Sequence, residues 1–217
     1  MSSLSSRKAL KERYEIKKSE IEKRLREFKE FLKKPEERVF TELAFCICTP
    51  QSKATSCWNA IKTLTDNGLL FKGNVGQISR SLKGVRFPHN KAKYIIEARK
   101  TFTTDNKIVI KKLLKSFSKP EELRNWLVKN VKGIGLKEAS HFIRNIGLSN
   151  NQLAILDRHI LNALKSLHVI DSPPSSLSRK VYESIEIKMK EFSEQIRIPL
   201  DALDLLMWSE KTGFVFK

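Results

Sequence analysis

The sequence predicts an all-α fold of two helical lobes, with a helix-hairpin-helix motif and the working site in the cleft between the lobes. Three observations predict it. Apolar residues recur at three- and four-residue spacing in segment after segment, and only the closing residues 211–217 have any strand character. Most prolines and glycines fall between those segments, where they start and stop helices. One tight turn, Val131-Lys132-Gly133-Ile134-Gly135, joins two amphipathic stretches. A chain of 217 residues suits one domain or two small lobes, and 40% hydrophobic with 30% charged residues fits a soluble globular protein rather than a disordered one.

In chain order, residues 7–34 read as a long charged helix whose Leu10, Tyr14, Ile21, Leu25 and Phe28 form one apolar stripe, ended by Pro35. Glu37 to Cys48 is too long and too apolar for a strand and reads as a buried helix. Thr49 to Ala54 breaks it, and Thr55 to Thr65 resumes as a helix stopped by Asn67-Gly68. A short helix over 77–83, a turn over 84–90, and helices over 91–102 and 106–117 follow. Ser118, Pro120, Glu121 and Glu122 form a helix start, with a cap, a first-turn proline and acids at the positive end. That helix runs to Asn130. After the glycine turn, a second spans Leu136 to Ile146 and is closed by Gly147. A polar loop then leads to a helix opened by Asp157. Helices over 179–195 and 199–208 complete the chain. Residues 35–115 are expected as one lobe, and residues 1–34 with 116–217 as the other.

Charge narrows the partners. The chain has 42 Lys+Arg against 24 Asp+Glu, a net charge of +18. Residues 72–119 hold 13 basic and 2 acidic residues, whereas residues 1–34 interleave 12 basic with 6 acidic ones. The middle block therefore reads as a polyanion-binding face, and the first block as a solvated helix surface. No apolar run approaches the roughly 20 residues of a membrane span, and the first residues lack the apolar core of a signal peptide. Three cysteines, Cys46, Cys48 and Cys57, make neither a disulfide framework nor a convincing zinc site, and suit the core.

The glycines of the turn let the backbone come close to a phosphate oxygen, and the helix that follows adds its positive end. Such a turn suits a grip on a nucleic-acid backbone that does not read sequence, and it suits a plain structural turn equally. Two residues extend the pattern: Lys137, two positions past Gly135, and Asp157, twenty positions later at the next helix start. At this point the sequence resembles the helix-hairpin-helix DNA glycosylase superfamily. KGIGLKEASHFIRNIG, LAILDRHIL, the TPQS break, KAKYI and a final lysine are similar to the archaeal-type 8-oxoguanine DNA glycosylase/AP lyases. The clear match spans residues 118–165, with a looser one over 35–217. NNQLAILD departs from the Gly/Pro-containing stretch that names the superfamily, and the C-terminal cysteines of the cluster-binding relatives are missing.

The resemblance implies base-excision repair of duplex DNA containing 8-oxoguanine by a monomeric prokaryotic enzyme associated with the nucleoid. A damaged base must be flipped from the stack before it can be cut. Lys137 is implied as the nucleophile that forms a Schiff base, and Asp157 as the carboxylate that stabilises the sugar cation. Lys132, Gly133, Ile134 and Gly135 would hold the backbone. Gln51, Arg86 and Phe87 would fill the gap and reach the orphaned cytosine. Trp208 and Lys217 would form the base pocket, with a backbone carbonyl or the chain-end carboxylate sensing the N7 hydrogen. Core anchoring is the secondary reading of Phe87 and Trp208, and His141 suits packing. No cofactor or metal is expected, because an amine and a carboxylate supply the chemistry. A glycosylase for another damaged base and a non-catalytic helix-hairpin-helix DNA-binding protein remain as alternatives, with a basic membrane-surface or ribosomal protein more remote.

Overall fold

A computed structural model describes residues 3–217. Its contacts divide the chain into two compact units, one of Phe31–Ile146 and one of the residues up to Glu30 with Gly147–Lys217.

The first unit contains α2 (Glu36–Cys48), α3 (Ala54–Asp66), α4 (Leu69–Lys72), α5 (Val75–Ser81), α6 (Pro88–Thr101), α7 (Lys111–Leu114), α8 (Pro120–Asn130) and α9 (Leu136–Asn145). Its centre is α2, in which every residue from Val39 to Cys48 is buried. A helix buried along this much of its length has to be enclosed, and α2 packs against α3, α6 and α9. The seam with α9 is polar. Asn145 Nδ2 donates to Glu42 Oε1 at 2.7 Å, and Arg144 Nε donates to Asn145 Oδ1 at 3.0 Å. Groups this deeply buried need partners, and the pairing fixes the register of α9 on α2.

This seam moves the lobe boundary. The hairpin helices α8 and α9, expected in the lobe of residues 116–217, cluster instead with residues 31–146. Burial of Glu42, Arg144 and Asn145 ties them there, a coupling that apolar periodicity alone does not reveal. A second correction concerns residues 106–117, expected as a helix. Strands Thr103–Thr104 and Lys107–Ile108 pair antiparallel across Asp105 and Asn106, whose φ values are 49° and 61°. Asp and Asn tolerate the left-handed region that a two-residue hairpin turn demands. Only Lys111–Leu114 beyond it is helical.

The second unit contains α1 (Ser3–Lys29), α10 (Arg158–Ser166), α11 (Arg179–Ile196) and α12 (Leu200–Thr212). The stripe of α1 is buried at Leu10, Tyr14, Ile21 and Phe28 and half-buried at Leu25. α1 lies along α12, where Lys17 Nζ reaches Ser209 Oγ at 3.1 Å and Arg13 pairs with Glu210. Gly147, at φ +76°, passes so close to α1 that a Cβ would sit 2.5 Å from the Phe28 carbonyl oxygen. The closing residues form no strand. Gly213 ends α12 in the left-handed region, and the Val215 N–H donates to Glu20 Oε1 on α1 at 3.2 Å.

Candidate active site

The glycine turn expected from the sequence lies between α8 and α9. Gly133 has φ +82°, and a Cβ there would meet the Tyr94 ring at 2.5 Å, so both conformation and packing require glycine. Gly135 is the N-cap of α9 and has no side chain to offer. Its N–H instead donates to Glu138 Oε2 at 3.2 Å, while Glu138 Oε1 lies 2.9 Å from Lys137 Nζ. One buried carboxylate thus closes the helix start and holds the lysine. The Lys137 side chain retains 27% of its exposure, which leaves the amine within reach of a substrate. Exposed Lys132 pairs with Glu97 at 3.2 Å, a contact that a phosphate would compete for. Ile134 is buried and anchors the turn.

Asp157 is the N-cap of α10. Its Oδ1 accepts from the His159 and Ile160 N–H groups, each at 2.8 Å. Both capping bonds fall on one oxygen, so the second is not needed to close the helix. The extended segment before it is clamped by α11. Glu186 Oε1 accepts from the Ala154 N–H at 2.7 Å, Tyr182 Oη donates to the Ala154 carbonyl at 2.7 Å, and the Leu156 N–H donates to Tyr182 Oη at 3.3 Å. These side chains locate Asp157 without the Gly/Pro that the superfamily places there. In the same unit, Trp208 meets His159 edge-on with ring centroids 5.4 Å apart, which places its ring at the α10 start. Lys217 is half-buried.

Gln51 and Phe87 share a backbone feature. Their φ values are 55° and 54°, in the left-handed region, and both side chains are exposed, Phe87 at 53%. Non-glycine residues held there cost roughly 1–3 kcal/mol and gather where a side chain must be aimed. The Arg86 guanidinium lies 5.5 Å from the centre of the Phe87 ring. A core role for Phe87 does not fit an exposed ring. His141 is buried against Phe45, ring centroids 5.7 Å apart, as packing predicts. Arg158 is exposed at the first position of α10.

The three cysteines are fully buried and unbridged. The Cys57 thiol donates to the Cys48 carbonyl at 3.1 Å, and burial pushes both thiols above their ordinary range. Among the described residues, no group of three His, Cys, Asp or Glu side chains could hold a metal ion. Sequence reasoning missed Glu138. The signal was the capping-box spacing, an acid three residues after the N-cap, hidden because the cap is glycine.

A family model described as 8-oxoguanine DNA glycosylase, with the helix-hairpin-helix motif in its name, matches residues 21–198. An 8-oxoguanine DNA glycosylase/AP lyase of Fusobacterium nucleatum is 43% identical over 200 residues, covering 92% of each chain. Among solved structures, the 8-oxoguanine DNA glycosylase of Thermotoga maritima superposes with a TM-score of 0.87 at 32% identity over the whole of both chains. The Methanocaldococcus jannaschii 8-oxoguanine glycosylase/lyase, crystallised with a 15-mer DNA containing 8-oxoguanine, gives 0.85 at 37% identity and covers 96% of this chain and 99% of that one.

Proposed function

The chain belongs to the 8-oxoguanine DNA glycosylase family, and from that premise we propose which of its residues carry out the reaction. The protein is a DNA-binding base-excision repair enzyme with glycosylase and AP lyase activity on 8-oxoguanine. The observation that carries the residue assignment is the lysine amine after the glycine turn, part-exposed and held at 2.9 Å by a buried carboxylate.

Lys137 is the nucleophile. Its free amine attacks C1′ of the flipped nucleotide, and the C1′–N9 bond breaks with its electrons leaving on the base, which takes up a proton. The sugar ring then opens at C1′–O4′ to give a protonated Schiff base on Nζ. Loss of a C2′ proton shifts electrons toward the iminium and expels the 3′ phosphate by β-elimination. Asp157 stabilises the positive charge that develops on the sugar as the base departs. Its Oδ1 serves the helix, and Oδ2 serves the reaction. Lys132 and the Gly133–Gly135 turn hold the DNA backbone, and the DNA phosphate takes Lys132 from Glu97 on binding.

Gln51, Arg86 and Phe87 enter the gap left by the flipped base. Trp208 and Lys217 line the pocket for 8-oxoguanine in duplex DNA. The enzyme acts as a monomer at the nucleoid, since one molecule suffices to flip one base. Among the described residues, no helix is long and apolar enough to cross a membrane. Single-turnover incubation with an 8-oxoguanine:cytosine duplex tests this specificity. The expected result is release of the free oxidised base with a strand cut 3′ to the lesion. Equal release of an oxidised pyrimidine from a matched duplex would contradict it.

A further inference from the structure

Lysine is almost never fully buried without a partner, yet Lys91, in the first turns of α6, is 4% exposed. Its ammonium has three donors and uses three neutral oxygens. Nζ donates to the Cys48 carbonyl at 2.6 Å, the Pro50 carbonyl at 2.7 Å and Ser52 Oγ at 3.0 Å. All three acceptors lie at the break between α2 and α3, which carries Gln51. Ser52 Oγ also accepts from the Arg86 N–H at 2.9 Å. The Lys91 N–H itself donates to the Phe87 carbonyl at 3.1 Å. One residue therefore joins two exposed turns that are 36 positions apart in sequence at Gln51 and Phe87, each with its tip in the left-handed region. Burial lowers the ordinary proton affinity of this ammonium, so its position is maintained against a solvation cost.

We propose that Lys91 is a positioning residue for lesion extrusion, its ammonium locking the Gln51 loop and the Arg86–Phe87 turn into one rigid probe. The inference rests on Gln51 and Phe87 being the side chains that occupy the vacated stack. Lys91 does not touch the reacting atoms. It fixes the two tips before DNA arrives, so the enzyme does not have to order them during base flipping.

Lys91→Met and Ser52→Ala separate this role from general stability. Two rates are compared in single turnover: release of 8-oxoguanine from a cytosine-paired duplex, and borohydride trapping on a duplex with a preformed abasic site. The abasic duplex has no base to extrude. The expected result for Lys91→Met is a drop of about tenfold or more in the ratio of excision to trapping. Ser52→Ala, which leaves Lys91 in place, lowers the ratio by about threefold, and it decides the matter if Lys91→Met does not fold. Phe87→Ala lowers excision on its own but adds little to Lys91→Met, because both act through the same tip. A parallel fall in both rates, no fall in either, or losses that multiply in the double variant would overturn the proposal. If Phe87→Ala and Gln51→Ala both excise at the wild-type rate, the reading of the tips fails and takes this inference with it. Multiplying losses beside a normal Phe87→Ala defect overturn the role of Lys91 alone.

Discussion

Two helix starts, α9 and α10, solve the same problem in opposite ways. Each must satisfy free N–H groups in its first turn while presenting a side chain to which we assign a part in the reaction. In α10 the residue we propose as reactive is also the cap, and Asp157 Oδ1 takes two N–H groups. In α9 the cap is Gly135, and the carboxylate comes from inside the helix, through Glu138. The lysine beside it is thereby relieved of any structural duty and is only held by the same carboxylate. On the proposed assignment, stability and chemistry are fused in one residue at α10 and divided between two at α9. Removal of the side chain should therefore cost both properties at Asp157 and chemistry alone at Lys137.

The largest effect is expected where chemistry alone is removed. Lys137→Gln abolishes trapping, by on the order of a thousandfold or more, with an unchanged melting temperature and unchanged binding to an undamaged duplex. Asp157→Asn keeps an oxygen for the cap and loses the charge. Excision falls about 10²–10³-fold while thermal stability is preserved. Asp157→Ala shows the same excision loss and also gives up about 1 kcal/mol of stability in denaturant titration, since the cap goes too. At α9 the pair Glu138→Gln and Glu138→Ala sharpens the contrast. The glutamine keeps the cap and slows trapping about tenfold through a less fixed amine. The alanine also loses about 1 kcal/mol. Equal stability losses in both Glu138 variants would break the comparison.

Smaller effects belong to the turn that precedes α9. Gly133→Ala forces an L residue to φ +82° against the Tyr94 ring and lowers stability by about 1–2 kcal/mol in the same titration. Lys132→Ala weakens binding to all duplexes alike and reduces the slope of log affinity against log salt by about one. Glu97→Gln, which frees Lys132 from its 3.2 Å ion pair, tightens binding by a few-fold at low salt.

Much of this was legible in the sequence, because the relevant signals are local. The glycine turn, the first-turn lysine and the capping aspartate each declare themselves within a few residues. The buried stripe of α1 followed from spacing alone, and the core role of the cysteines from residue type. What stayed hidden depends on contacts between distant positions. KAKYI, which opens with Lys91, carries the resemblance, but nothing local shows that this lysine turns inward to the break between α2 and α3. Its three acceptors lie more than 38 positions upstream. The placement of α9 with α2 depends on Glu42 meeting Asn145 across 103 positions. The left-handed backbone at Gln51 and Phe87 was invisible for a different reason, since neither residue type favours it. The Asp105-Asn106 turn is readable in principle, since both residue types tolerate the left-handed region.

The most direct test of the division between the two helix starts is to map the covalent adduct. The wild-type protein is trapped with borohydride on an 8-oxoguanine:cytosine duplex, digested, and the modified peptide sequenced by mass spectrometry. The expected result is a single adduct at Lys137, lost in Lys137→Gln and still formed, more slowly, in Asp157→Asn. An adduct on Lys132 or Lys91, or trapping that persists in Lys137→Gln, would contradict the assignment of the nucleophile to the start of α9.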